Sequence, residues 1–258
     1  MMFPAALALL MTQNHAQAAW TPAVAVVAPN AVVDTILEIK LDPDWHTYWW
    51  NAGDNGAPPQ FKWTLPTGWK LVGTSLGVPE IIELDGMTSY GYENVMPVLA
   101  QFKAPAAPGR HTLRGTITVL VCESVCRAET LNVSTTVEVR PNPPASPRRA
   151  LPVIPRSVAG WRASAALRTD RIELDVRGTV PDGLDLSKVQ FLAETKNAMD
   201  YASGATVTAI DGGLRVSFAK SPFWQSNLRE LRGLLIAPTG TKWPNGVNAA
   251  VVQASISQ

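Results

Sequence analysis

Apolar and polar residues alternate over short runs of this chain, at Thr35–Leu41, Arg171–Val176 and Leu214–Phe218. A strand sends successive side chains to opposite faces, so a period of two predicts strands with one buried face. The 3.6-residue period of an amphipathic helix is nearly absent. Turn signals separate the runs, among them Gly53-Asp54-Asn55-Gly56, Pro66-Thr67-Gly68 and Asp211-Gly212-Gly213. Short strands spaced in this way predict an all-β sandwich architecture. The 21 prolines and 18 glycines fit it as punctuation.

One stretch sharpens the pattern. Leu113, Ile117, Val119 and Val121 share odd parity with Leu131, Val133, Val137 and Val139 further on. The two runs predict a hairpin with its turn at Glu123-Ser124-Val125. Its odd positions face the core, and Ile117 lies opposite Leu131. The only cysteines, Cys122 and Cys126, are even-numbered and fall on the less apolar face, where Leu120 is the main apolar exception. Across a three-residue turn their Cα atoms would lie ~4.5–5.5 Å apart, inside the disulfide range. Glu129 breaks the odd apolar pattern and predicts a bulge or slipped register near the turn.

Six prolines within residues 140–156 exclude a central strand or helix there. They predict a Pro-rich linker, 142–156, between a first domain, 19–141, and a second, 157–258. The second domain holds no Cys and no His, which directs any chemistry to the first. At the N-terminus, an apolar run from Phe3 to Met11 precedes Ala16-Gln17-Ala18. This pattern predicts a signal peptide, 1–18, cut after Ala18, although no Lys or Arg precedes the run. The mature chain is then expected in an oxidising, extracytoplasmic space. No later run reaches the ~18 apolar residues of a membrane span.

Composition narrows the chemistry. Among 258 residues, 46% are hydrophobic, enough for substantial cores. The net charge is +1, from 22 basic and 21 acidic residues, which argues against nucleic-acid or anionic-membrane partners. Neither His46 nor His111 pairs with a Ser in a nucleophile-elbow pattern, which argues against a hydrolase triad. No zinc-ligand spacing is present in the sequence, and no cofactor is implied. His46 and His111 are read as the mature histidines, with His46 taken as a half-buried strand residue. Asp54 and Asn55 read as a turn rather than a calcium site.

The cysteine pair admits two readings. A bridge closing about five residues adds only roughly 2 kcal/mol in the chain-entropy model. It is as consistent with a modest structural staple as with an exchangeable redox pair. Reduced Cys122 and Cys126, with Met87, Met96 or His46, would also offer soft ligands to Cu(I).

Three segments in order resemble a known family: LDPDWHTYWWNAGDNGAPPQFKWTLPTGW (41–69), TSYGYENVMPV (88–98) and VLVCESVCRAETL (119–131). They resemble the periplasmic N-terminal domain of the thiol:disulfide interchange protein DsbD. Within that family they resemble the ScsB-like branch, as does ELRGLLIAPTG (230–240) in the second domain. The resemblance implies two immunoglobulin-like β-sandwiches, a periplasmic location and a redox pair at Cys122 and Cys126. It implies a cap loop at Thr88, Ser89, Tyr90, Gly91 and Tyr92, with Gly91 as hinge. Trp45, His46 and Tyr48 would line the site. The implied partners are a membrane-embedded thiol reductase in trans and periplasmic disulfide-containing proteins. The implied contexts are cytochrome c biogenesis and copper tolerance. Departures are Arg127-Ala128-Glu129 where the family often has Pro, Ala52–Gly56 in place of a PGDSG loop, and the expected absence of the family's membrane and thioredoxin-like domains.

Overall fold

The computed structural model describes residues 14–257, so the apolar run of the expected signal lies outside the described residues. The strands are β1 (Ala16–Pro22), β2 (Val26–Val27), β3 (Val32–Leu41), β4 (His46–Gly53), β5 (Gln60–Thr64), β6 (Lys70–Leu76), β7 (Glu80–Leu84), β8 (Met87–Glu93), β9 (Val95–Lys103), β10 (Gly109–Cys122) and β11 (Cys126–Val139). The C-terminal half adds β12 (Arg156–Ser157), β13 (Arg162–Leu167), β14 (Arg171–Arg177), β15 (Gln190–Ala193), β16 (Ala205–Ile210), β17 (Gly213–Ala219), β18 (Glu230–Ile236) and β19 (Ala249–Ser257). Only two single-turn 3₁₀ segments, Leu186–Lys188 and Pro244–Gly246, interrupt the strands among the described residues. The fold is all-β with an immunoglobulin-like sandwich arrangement, as the alternating pattern predicts.

In the N-terminal half, a four-stranded sheet, β1-β3-β9-β6, faces a seven-stranded sheet ordered β2-β11-β10-β4-β8-β7, with β5 also on β10. The hairpin β10–β11 runs in unbroken register from Gly109↔Val139 to Cys122↔Cys126 and includes Ile117↔Leu131. Leu113, Ile117, Val119 and Val121 are fully buried against the facing sheet's Leu37, Ile39, Val98 and Phe102. Each such side chain contributes ~1.5–3 kcal/mol through burial, so slipping the hairpin by one residue would forfeit the whole face.

Glu129 does not make the expected bulge. It stays in register opposite Val119, with its side chain buried. Its carboxylate accepts the backbone N–H groups of His15 at 2.7 Å and Ala16 at 2.9 Å. An acid occupies an inward position because the start of β1 needs an acceptor there. The first strand thus begins at Ala16, with Ala16 itself buried, three residues before the expected domain start at Ala19. A cut after Ala18 would fall inside β1.

Residues 140–155 carry no strand, in line with their prolines. The segment is nonetheless tied to the N-terminal half. Arg148 pairs with Asp34, and the Arg149 N–H donates to the Ala23 carbonyl at 2.9 Å. The C-terminal half forms an eight-stranded sheet, β15-β18-β19-β13-β14-β17-β16, with β12 on β19. Most of the buried apolar residues of both halves join in one cluster.

Candidate functional site

Cys122 ends β10 and Cys126 begins β11, with Glu123-Ser124-Val125 as the turn between them. The two are joined by a disulfide, with Cα atoms 4.1 Å apart, slightly closer than the register alone predicts. Their surroundings differ. Cys126 is exposed, whereas Cys122 is only 2% exposed. Parity correctly puts Cys122 off the main core. It does not show that β4 runs beside β10 at this end, pairing His46 with Cys122. β4 brings Tyr48 and Ala52 over the outer face, where they form a small apolar cluster with Cys122 and the half-buried Leu120.

Tyr48 donates its hydroxyl to the Cys122 Sγ at 3.1 Å, and His46 Nε2 lies 3.2 Å from the same hydroxyl. Burial pushes the Tyr48 pKa up, so the phenol keeps its proton. Burial also lowers the His46 pKa, against a smaller opposing pull from Glu93, so its imidazole is neutral at pH 7. The result is a proton-bearing donor aimed at one sulfur, the arrangement that stabilises a thiolate when the bridge opens. At the rim, Glu123 accepts hydrogen bonds from Ser124, which hold its carboxyl below the usual range and keep it ionised.

A cleft of about 420 Å³ opens over the pair. His46, Tyr48 and Ser89 form part of its wall, with Asn55 and the tip of the β7–β8 hairpin, Leu84, Asp85 and Met87. Asp85 and Gly86 both have positive φ, 52° and 76°, the left-handed pair that a two-residue hairpin needs. Leu84 and Met87 stay 48% and 39% exposed beside Cys126, and Val125 in the turn is 54% exposed. These leave an apolar rim around the reachable sulfur.

The expectation of a cap loop at 88–92 is corrected. These residues lie inside β8, paired with both β4 and β7. A strand bonded on both edges cannot swing as a lid. Parity divides its side chains. Tyr48 faces Gly91 across the ladder, so odd positions share the cysteine face, and of the five residues Ser89 lines the cleft. Tyr90 and Tyr92 point the other way. Tyr92 donates to the Gly77 carbonyl at 2.8 Å, and Tyr90 reaches the Met199 Sδ at 3.6 Å. Thr88 joins Tyr90 in lining a different groove, against the C-terminal half. Gly91 is no hinge either. A β-carbon there would meet the Thr47 carbonyl oxygen at 2.0 Å, so glycine serves close strand approach.

Trp45 is the second correction. It is absent from the cleft wall and stacks on His15, with ring centroids 3.6 Å apart. Met96 lies fully buried in the main core, away from the cysteines, while Met87 and His46 do reach the cleft. Reading the sequence also missed Leu84, Asp85 and Asn55. The Asp85-Gly86 pair between apolar residues was the available signal for the hairpin tip. His15 was missed because it fell within the expected leader.

Residues 15–138 match the family described as "Thiol:disulfide interchange protein DsbD, N-terminal". The crystal structure of the N-terminal periplasmic domain of ScsB from Proteus mirabilis superposes with a TM-score of 0.59 at 19% identity, covering 95% of each chain. That likeness establishes a shared fold over both halves. A non-cellulosomal cohesin from Archaeoglobus fulgidus, at TM-score 0.28 and 7% identity over 48% of this chain and 91% of that one, is too distant to carry an argument. No curated protein matches the sequence. Among the described residues, no helix is long and apolar enough to cross a membrane.

Proposed function

We propose, for a chain whose residues 15–138 belong to the DsbD N-terminal family, that it is a periplasmic thiol–disulfide exchange protein acting through Cys122 and Cys126. The observation that carries this reading is the asymmetry of the bridge. One sulfur is open to a partner, and the other is buried beneath a hydrogen-bond donor. Exchange requires in-line access to one sulfur and stabilisation of the other as leaving group.

In this reading a thiolate of a reducing dithiol attacks Cys126 Sγ. A mixed disulfide forms there, the Cys122–Cys126 bond breaks, and the electron pair leaves on Cys122 Sγ beside the Tyr48 hydroxyl. The reductant's second thiolate resolves the mixed disulfide and leaves both cysteines reduced. Run in reverse against an oxidised partner, the same steps reduce that partner's disulfide. The family suggests a membrane-embedded thiol reductase upstream and periplasmic disulfide-containing proteins downstream. The apolar rim of Leu84, Met87 and Val125 suits a docked partner surface. In the same reading the N-terminal domain ends near residue 141, and 142–156 tethers a second domain, 157–258.

Trapping tests the assignment. Cys122→Ala leaves the exposed thiol of Cys126, which should accumulate a mixed disulfide with a dithiol partner. Cys126→Ala leaves only the covered Cys122 and should trap far less. Equal trapping by the two variants would contradict the assignment. A reduction potential below about −300 mV would point instead to a structural bridge.

A further inference from the structure

We propose that the C-terminal half braces the cysteine cleft, with Asn51 and Tyr201 as positioning residues that hold Tyr48 over Cys122. The proposal rests on the exchange reading for its purpose, but its geometry and its test do not. Asn51 is 1% exposed and lies three residues after Tyr48 on β4. Its amide is used in full. Nδ2 donates to the Ala193 carbonyl at 2.7 Å and to the Tyr201 hydroxyl at 2.9 Å. Oδ1 accepts the Gly53 N–H at 3.2 Å and the Tyr201 hydroxyl at 3.3 Å. An amide has two donors and two acceptor sites, and here all four are engaged. Three of these four bonds cross to the C-terminal half.

The fourth carries the constraint back to the sulfur. The β4–β8 register shifts between Tyr48 and Gly53, and the Asn51–Gly53 bond lies within that irregular stretch. Gly53, at φ 85°, turns the chain into a loop pinned to β8. The Asp54 N–H donates to the Thr88 carbonyl at 2.9 Å, and the Asp54 carboxylate accepts the Thr88 N–H at 2.9 Å. Gly56, at φ 101°, then lies flat on the Tyr48 ring, so close that a β-carbon would sit 2.3 Å from its Cε1. A second contact runs in parallel. Tyr90 of β8 meets Tyr201 edge-on at 5.5 Å and touches Met199. Thus β4 and β8, which supply Tyr48 and Ser89 to the cleft, are both held from behind by residues 193–201. Buried polar groups satisfied only across a junction fix one arrangement of the two sides, because any other leaves them unpaired.

The test uses the full chain carrying Cys126→Ser, in which Cys122 is the single thiol, alkylated with iodoacetamide across a pH series. Adding Asn51→Ala should raise the limiting alkylation rate about tenfold, because the cover over the sulfur loosens. The same variant should bind the thiol proton more tightly, because Tyr48 no longer donates steadily to the thiolate. Tyr201→Phe, which keeps the ring, should shift both in the same direction by less. Leu174→Ala, in the C-terminal sheet, is the control for general loss of stability and should move neither. The brace is overturned if Asn51→Ala and Tyr201→Phe react and titrate like their parent, or if Leu174→Ala moves both values as far. Alkylation needs no redox partner, so a chain that never passes electrons to another protein would still answer the question.

Discussion

Tyr48→Phe isolates one hydrogen bond at the sulfur and leaves the ring that packs against Gly56. In the oxidised protein the hydroxyl donates to a disulfide sulfur, a weak acceptor. After reduction the same donor faces a thiol or thiolate, and a hydrogen bond to a charged group contributes ~1.5–3 kcal/mol. Allowing about 0.5 kcal/mol for the oxidised state, the reduced form loses roughly 1–2.5 kcal/mol more than the oxidised form. For a two-electron couple 30 mV corresponds to about 1.4 kcal/mol, so the potential should become roughly 20–55 mV more negative. The shift should be full where Cys122 is ionised and should fade at lower pH, where the thiol is protonated in both proteins. Equilibration against glutathione or dithiothreitol buffers at several pH values reads it directly. An unchanged potential across the whole series, with the fold intact, would refute the claim that Tyr48 stabilises the leaving sulfur.

Other expectations concern the supports of the site. Glu129→Ala leaves two backbone N–H groups without their acceptor and should cost about 2–4 kcal/mol in urea unfolding, while Glu129→Gln keeps one acceptor oxygen and should cost less. A chain beginning at Ala19 should be less stable than one beginning at Asn14, because it lacks His15 and Ala16 as partners for Glu129. The folded-state pKa of His46 lies below its ordinary value of 6.5, so the unfolded chain takes up the proton first. Its contribution to stability is complete above that value and is lost as pH falls below it. Glu80, raised chiefly by burial and further by Glu93, acts in the opposite sense. The difference between the wild type and His46→Phe isolates the histidine, and the variant should show a flatter stability slope between pH 7 and 5. Gly56→Ala places a β-carbon in the Tyr48 ring at a positive φ, and it should lower the melting temperature and slow reduction of the bridge by moving the Tyr48 hydroxyl away from the leaving Cys122 sulfur.

The alternation of residues 113–139 determined the hairpin, its turn, the opposition of Ile117 and Leu131 and that of Cys122 and Cys126, though not the unbroken register through Glu129. It could do so because strand parity and turn length are local, and a one-residue slip reverses every side chain. The Pro-rich segment likewise marked the stretch without strands. Local pattern did not reveal which elements cover each face. Cys122 is buried because β4, far away in sequence, lies beside β10. The Ser89-Tyr90-Gly91 stretch is expected in a cap loop, yet neighbours on both edges make it strand. Glu129 contradicts its own strand's pattern until His15 and Ala16 arrive from more than a hundred residues away. Asn51 is a buried polar residue in an aromatic strand, and most of its hydrogen bonds go to the other half of the chain. Parity sets the side to which a group points. Whether that side holds water, a neighbouring strand or a distant carbonyl is settled only when the sheets assemble, since burial and hydrogen-bond satisfaction are properties of the assembled whole.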